Sequence, residues 1–327
     1  MKQNLHTHST YCDGKSTIKE MIRSALYKDF DLLGFSGHSY TSFDESYCMS
    51  KESVEKYIKE IRDASDRFKK SPEDAADFFG LSGSQKPLRI LLGLEQDLYS
   101  DEPAVRKQQG ILNPGSPGGI YDYIIGSTHA FRLDLEKPDL KKREGPDIDG
   151  LIFSDEGLYI YVDYGAEAME WAVENVFGGD PQALAEAYFR DEARIVEKTD
   201  CDIVGHFDLL LKFNEKEKMF DENSSRYREA RDAALRRIFS DFRMMKRRPV
   251  FEVNTGAMAK GYRSIPYPMP DTLKLIREMG GQAVINSDCH MADKLDYAFD
   301  EAKYVLNWAG FREEIIDTPY GTLEIYV

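Results

Sequence analysis

The chain contains no run of about 18 apolar residues, so it offers no candidate membrane-spanning helix. Its first residues, MKQNLHTHS, lack the apolar segment of a secretory leader, and none is expected. Cysteine is sparse. Cys12, Cys48, Cys201 and Cys289 form no CxxC pair and suggest no disulfide framework, so a reduced, cytoplasmic setting is expected. Cationic residues are in deficit, with 43 Lys and Arg against 58 Asp and Glu and a net charge of −15. That balance disfavours nucleic acid and anionic membranes as partners. Histidine is scarce as well, with only His6, His8, His38, His129, His206 and His290.

What is present is material for a large core, since 42% of the 327 residues are hydrophobic. Short apolar runs recur at 4–5, 31–37 (DLLGFSG), 89–95 (RILLGLE), 121–127 (YDYIIGS), 202–205 (DIVG), 249–254 (PVFEVN) and 282–287 (QAVINS). Several are continuously apolar rather than alternating, as in parallel strands buried on both faces. Between them a helical pattern recurs over 17–28, 51–70, 166–176, 181–198, 225–245, 271–279 and 294–308, the first opened by a capping residue at Ser16 or Thr17. About seven strand–helix units predict an α/β fold with a parallel sheet, closed as a barrel rather than left open. No repeat or linker divides the chain, so residues 1–327 read as one domain. The stretches 71–86, 100–119 and 131–165 fit the pattern poorly and read as loop insertions, the last carrying a basic cluster at Lys141, Lys142 and Arg143. Residues 321–327 read as a final short strand.

Every histidine falls at or just past the end of an apolar run. His6 and His8 follow Leu5; His38, His129, His206 and His290 follow LLGFSG, YIIGST, DIVG and AVINSDC. In a parallel barrel all strand C-termini open on one face, where active sites form. One such histidine would be unremarkable as a core or surface residue. Six at one rim, with none elsewhere, point to metal ligation. Carboxylates sit at the same ends: Asp13, Glu95 and Asp288. His6/His8 and Asp288/His290 are spaced i, i+2, which in extended backbone aims both members the same way and turns Thr7 and Cys289 aside. Six imidazoles and three carboxylates exceed the roughly four to six ligands of one ion and suggest two or three ions. Such a site is net cationic and suited to an anion, and paired divalent ions suit phosphate-ester hydrolysis.

The motifs HTHSTYCDG, GFSGH, GLE, GSTH, GHFD and SDCH, in this order from His6 to His290, resemble the polymerase-and-histidinol-phosphatase (PHP) metallohydrolase superfamily. GHFDLLLKF and EVNTGAMAKGYRSIPYP are similar to its histidinol-phosphate phosphatase branch. The resemblance implies a distorted, TIM-like (β/α)7 barrel with the metal site at the C-terminal ends of the strands. It implies one ion on His6, His8, Glu95 and Asp288, a second on Glu95, His129 and His206, and a third on Asp13, His38 and His290. Glu95 is then the bridge, and Zn, Fe or Mn the metal. It further implies a phosphomonoester hydrolase acting on L-histidinol phosphate in histidine biosynthesis, with a metal-bridging hydroxide attacking phosphorus in line.

Phosphate also calls for cations. The resemblance points to Lys212 after GHFD and to Lys260 or Arg263 after EVN. Lys212 could equally be a solvated charge at a helix start. Arg263, in a Gly/Pro-rich loop, is the favoured stabiliser of the transition state. Asp208, two residues past His206, could act as general acid, orient a ligand or cap the next turn. Glu252 and Asn254 share one side of their strand, and either could reach substrate. Arg132 lies on the 131–165 insertion, which could cover the site or be a solvated loop. The alternative substrates are nucleotides and other small phosphate esters. A binding module with a degenerate site is disfavoured because no ligand is missing, and an amidohydrolase-like barrel because the GLE and DCH arrangement does not match it.

Overall fold

Seven of the apolar runs become parallel strands. In this computed structural model, which describes residues 1–81, 87–101, 120–134, 147–318 and 321–327, they are β1 (Gln3–Asn4), β2 (Leu32–Phe35), β3 (Arg89–Asp97), β4 (Tyr123–Ser127), β8 (Ile203–Val204), β9 (Val250–Asn254) and β10 (Gln282–Asn286). They pair in the order β1-β2-β3-β4-β8-β9-β10. The C-terminal hairpin of β11 (Glu313–Thr318) and β12 (Gly321–Tyr326) adds to β10 in antiparallel sense. The sheet is curled, and its first and seventh parallel strands meet. Thr7 bridges Cys289, the His8 amide donates to the Cys289 carbonyl at 2.9 Å, and the Leu5 amide donates to Asn286 Oδ1 at 2.8 Å.

The inner face carries Leu5, Leu32, Leu91, Tyr123, Ile125, Ile203, Val250 and Val284, closed over by Leu323 and Ile325 of β12. Tyr123 crosses the interior and donates to the Leu5 carbonyl. Its ring occupies the space beside Gly34 and Gly93, where any Cβ would collide with it. Those two glycines therefore permit a tyrosine inside so narrow a sheet.

The described helices are α1 (Ile18–Tyr27), α2 (Lys51–Lys70), α3 (Pro72–Phe78), α4 (Ala166–Asn175), α5 (Pro181–Glu192), α6 (Ile195–Thr199), α7 (Asn214–Glu217), α8 (Ser225–Met244), α9 (Gly256–Ala259), α10 (Pro270–Glu278) and α11 (Phe299–Trp308), of which α9 lines the pocket at the strand ends through Gly256 and Ala257. Thr17 opens α1 through a capping box with Glu20. Among the described residues no helix is long and apolar enough to cross a membrane.

Four expectations are corrected. Residues 72–78 are helical rather than loop, because Ser71 caps the segment and Pro72 supplies its first turn. The helix expected over 181–198 breaks into α5 and α6 at Arg194, whose ψ of 0° leaves the helical range. The helix expected from 294 starts at Phe299, after a 3-10 turn at Ala292–Lys294 and a left-handed Ala298. The insertion 131–165 is not irregular where described: β5 (Ala130–Leu133), β6 (Leu151–Ser154) and β7 (Gly157–Tyr161) form an antiparallel sheet in the order β5-β7-β6. The cluster at Lys141, Lys142 and Arg143, residues 82–86 and residues 102–119 lie outside the described residues.

Candidate metal centre

The C-terminal ends of the parallel strands bring all six histidines together. Ring centroids lie 4.2 Å apart for His8–His290, 4.5 Å for His8–His38, 5.0 Å for His38–His129, 4.9 Å for His129–His206, 6.0 Å for His206–His6 and 5.2 Å for His6–His8. Glu95, wholly buried near the end of β3, sits among them. Its Oε2 lies 3.1 Å from His6 Nε2, 3.4 Å from His8 Nε2 and 3.1 Å from His38 Nδ1. Its Oε1 lies 3.1 Å from His206 Nε2 and 3.5 Å from His129 Nε2, and accepts from Ser127 at 2.6 Å. The two oxygens thus face two different sets of imidazoles, the disposition a bridging carboxylate needs.

Asp13 and Asp288 line the open side. Asp288 Oδ1 lies 3.1 Å from His8 Nε2, and Asp13 Oδ2 lies 2.9 Å from His290 Nε2. Three groups can each direct their ligand atoms at one point: His8, Asp13, His38 and His290; His6, His8 and Asp288; and His38, Glu95 and His129. The fit to cations also shows in atoms left without hydrogen bonds. Buried His6 Nε2, His8 Nε2, His38 Nδ1, Asp13 Oδ1 and Glu95 Oε2 have none, although they crowd against one another. Orphaned lone pairs converging in a buried site are costly unless a cation accepts them.

Local backbone explains the placement. Thr7 pairs with Cys289, so His6 and His8 share a side as the i, i+2 rule requires. The same argument does not carry 288–290: Asp288 has φ +47°, a left-handed conformation that Asp tolerates, and its side chain is steadied by Asn254 Nδ2 at 3.3 Å. Cys289 is buried behind the site, and burial pushes its thiol up to about 12. Burial does the same to the Cys12 thiol, also to about 12.

Charge is distributed unevenly. Burial, helped by neighbouring His290 and His38, lowers His8 to about 3, leaving it neutral with a free lone pair. His38 and His129 resist burial because carboxylates flank them. Glu95, Asp97 and Asp13 carry His38 to about 10, and Asp97 with Glu95 carries His129 to about 9. Against the same burial, the imidazoles hold Glu95 and Asp288 well below the usual carboxylate range.

Two supporting carboxylates complete the site. Glu252, wholly buried in β9, places Oε1 2.6 Å from His6 Nδ1 and accepts from the His206 amide at 3.0 Å. It does not reach the pocket. Asn254 likewise sits beneath it, donating to Glu252 at 2.9 Å and accepting from the Gly256 amide at 2.8 Å, so the expected substrate contact is corrected to a positioning one. Asp97 pairs with His129 Nδ1 and was not singled out from sequence. Its signal was its spacing in GLEQD, two residues past Glu95 on β3.

The expected substrate cations divide. Lys212 and Lys260 line the pocket over the histidines with Asp163 and Tyr267. Lys212 is buried, which lowers its pKa, and it donates to the Asp163 carbonyl at 2.8 Å. Arg263 does not line the pocket. It turns inward, donates to the Leu211 carbonyl at 2.7 Å and lies 4.9 Å over the Tyr267 ring. Asp208 is also corrected. The chain turns into a 3-10 helix directly after His206, so the i, i+2 argument does not apply. Its carboxylate makes no cap and accepts from the Met269 amide at 2.8 Å. Burial raises Asp208 to about 6, against the pull of nearby Arg263. Arg132 pairs with Glu156 at 3.0 Å. The insertion does meet the site: the Val162 amide donates to the His129 carbonyl at 2.9 Å, which sets the segment after β7 on the pocket wall.

A curled α/β sheet whose strand ends carry a buried imidazole–carboxylate cluster defines the class of α/β proteins with a candidate metal site at the strand ends. The PHP domain model matches residues 4–255, and the chain belongs to that family. A curated relative from Schizosaccharomyces pombe, named "Probable histidinol-phosphatase", is 22% identical over 313 residues, covering 93% of this chain and 86% of the relative. The hisK protein of Listeria monocytogenes superposes with a TM-score of 0.64 at 19% identity, over 91% of this chain and 99% of that one. The histidinol phosphate phosphatase of Lactococcus lactis, whose crystal structure holds Zn, L-histidinol and phosphate, superposes with a TM-score of 0.58 at 16% identity, over 98% of both chains.

Proposed function

We propose that the chain is a metal-dependent phosphomonoester hydrolase acting on L-histidinol phosphate, in the cytoplasm, on a distorted (β/α)7 barrel of the TIM-like kind formed by residues 1–327. The observation that carries this reading is the ring of six imidazoles around Glu95, with lone pairs unclaimed by hydrogen bonds, beneath Lys212 and Lys260. The relatives named for histidinol phosphate support the substrate.

Two or three divalent ions, Zn, Fe or Mn, would be held by His6, His8, Glu95 and Asp288, by Glu95, His129 and His206, and by Asp13, His38 and His290. When bound they supply a deprotonated water at neutral pH and positive charge for the phosphoryl oxygens. The chain's own residues do the rest. Lys212 and Lys260 attract the phosphate and hold it over the cluster, so that an overall charge of −15 does not repel it. Glu252 and Asp97 fix the rings of His6 and His129. Arg263 brings positive charge near Asp208 and fastens the 255–267 loop, which carries Lys260, to Leu211.

The experiment is phosphate release by the metal-loaded protein from L-histidinol phosphate and from a panel of sugar and nucleotide monophosphates. The expected result is a kcat/KM for histidinol phosphate at least about 100-fold above the panel, the size of preference that one well-placed polar contact supplies. Hydrolysis of the panel with no preference would overturn the substrate. Absence of bound metal would overturn the chemistry.

A further inference from the structure

Outside the metal cluster the pocket widens into a second chamber of about 370 Å³, whose walls differ in chemistry from the floor. The floor is His38, His129, Lys212 and Lys260, with Asp13 of the metal cluster. The outer wall is Tyr47, Tyr161, Asp163 and Tyr164. Tyr47 stands edge-on to His38, with ring centroids 5.0 Å apart, and edge-on to Tyr161 at 6.0 Å. Tyr161 is in turn edge-on to Tyr164 at 4.7 Å. Tyr164 donates to Asp44 at 3.2 Å and shares a hydrogen bond with Ser46 Oγ at 3.0 Å, clasping the insertion to the loop after β2. Asp163 presents one oxygen, Oδ2, 3.7 Å from Lys212 Nζ; its other oxygen, Oδ1, is buried and makes no hydrogen bond.

We propose that this chamber binds the non-phosphorylated end of the substrate, with Asp163 receiving a protonated amine and the tyrosines bordering a flat ring. The inference rests on the phosphatase reading above. Once cations occupy the cluster and Lys212 and Lys260 flank it, a positively charged substituent is repelled from the floor. Asp163 is the carboxylate of the outer wall that can accept it. Aromatic side chains add favourable faces and edges for a cation and for a planar ring. A chamber of this size matches a small-molecule pocket. The wall therefore selects a phosphate ester that is zwitterionic and carries a ring. Sugar phosphates that lack an amine leave Asp163 with Lys212 as its cationic neighbour and Oδ1 without a hydrogen bond.

The test uses metal-loaded protein and two substrates, L-histidinol phosphate and 4-nitrophenyl phosphate, the second lacking an amine. In Asp163→Asn the ratio of kcat/KM for the two is expected to fall about 10–100-fold, through KM, as loss of a charged hydrogen-bond partner implies. The inhibition constant of L-histidinol against 4-nitrophenyl phosphate rises in step, and Asp163→Glu restores part of the discrimination. Tyr164→Ala, on the exposed rim, lowers the same ratio by a smaller factor. Equal losses on both substrates, or an unchanged inhibition constant for L-histidinol, would overturn the assignment. A wild-type protein that hydrolyses 4-nitrophenyl phosphate but not histidinol phosphate would instead sink the functional reading, and that is seen before any variant is made.

Discussion

Glu252 Oε1 lies 2.6 Å from His6 Nδ1, and neither group reaches solvent. With a cation bound, the contact would set the tautomer of His6, because a proton kept on Nδ1 beside the carboxylate frees Nε2, which faces Glu95 and Asp288. The same carboxylate accepts from the His206 amide and from the side-chain amides of Asn254 and Asn286, so one buried charge sets two proposed ligands. Glu252→Gln keeps the shape and removes the charge. The expected outcome is metal affinity lower by about 10–100-fold, as for other partners that orient metal-binding histidines. Metal content by elemental analysis after dialysis against graded chelator reads it, and wild-type retention would refute the positioning role.

The charge pattern also sets how metal removal depends on pH. In the metal-free chain, carboxylates carry His38 to about 10 and His129 to about 9, above the ordinary value of 6.5. Their contribution to stability is therefore fully present below about pH 6.5 and is lost as pH rises through 9 to 10. Metal ions need the same nitrogens unprotonated, so binding expels those protons and strengthens as pH rises. Chelation is expected to lower Tm modestly at pH 6 and considerably more at pH 9. A chelation-induced change in Tm that is flat across this range would contradict the assignment.

Lys212 and Arg263 separate a proposed substrate contact from a structural one. Lys212 lines the pocket, whereas Arg263 spends its guanidinium on the Leu211 carbonyl and the Tyr267 ring. Lys212→Ala is expected to raise KM for a phosphate ester about 10-fold, the mark of a lost charge-assisted contact to the anion, with a smaller fall in Tm from the loss of its bond to the Asp163 carbonyl. Arg263→Ala takes the donor from the buried Leu211 carbonyl and the nearby positive charge from Asp208, at a cost of about 2 kcal/mol, and lowers Tm by roughly 4–6 °C. Thermal melts beside steady-state kinetics distinguish the two, and the reverse pattern would restore Arg263 to the substrate.

The clustering of the six histidines was legible in the sequence because each falls at or just past the end of an apolar run, the open end of a parallel strand; Glu95 lies near the end of β3 itself, and Asp13 in the loop after β1. Asp97 obeys the same rule and was overlooked because it stands two residues beyond Glu95 in one run. Arg263 and Asp208 could not be placed this way. Their orientation follows from a 3-10 turn after His206 and from a loop pinned by the Asn254–Tyr267 bridge, both tertiary features. The sheet of the insertion stayed hidden for a different reason. Its strands are four or five residues long and separated by a charged stretch, so period-2 alternation has too little length to register. Its consequence for the site, the wall built from Tyr161 and Asp163, depends on the Val162–His129 hydrogen bond, which joins parts of the chain far apart in sequence.

Glu192 on α5 makes the last prediction. It is almost wholly buried, its Oε1 has no hydrogen bond, and burial pushes it up to about 8, with Asp208 and Asp191 adding repulsion that Thr128 and His129 only partly offset. The unfolded chain releases this proton near the ordinary value of 4.5, while the folded chain keeps it until about 8. Between those values the folded state binds one more proton, so the group's contribution is fully present below about 4.5, declines as pH rises and is lost beyond 8. Glu192→Gln removes the titration while keeping the side chain's size and a hydrogen-bonding group. Its Tm relative to wild type is expected to rise steadily from pH 5 to pH 8.5, with Gln the more stable form at the alkaline end, where wild type must bury a carboxylate. Melts at matched pH and metal content read this, and a constant Tm difference would show that Glu192 is ionised in the fold throughout.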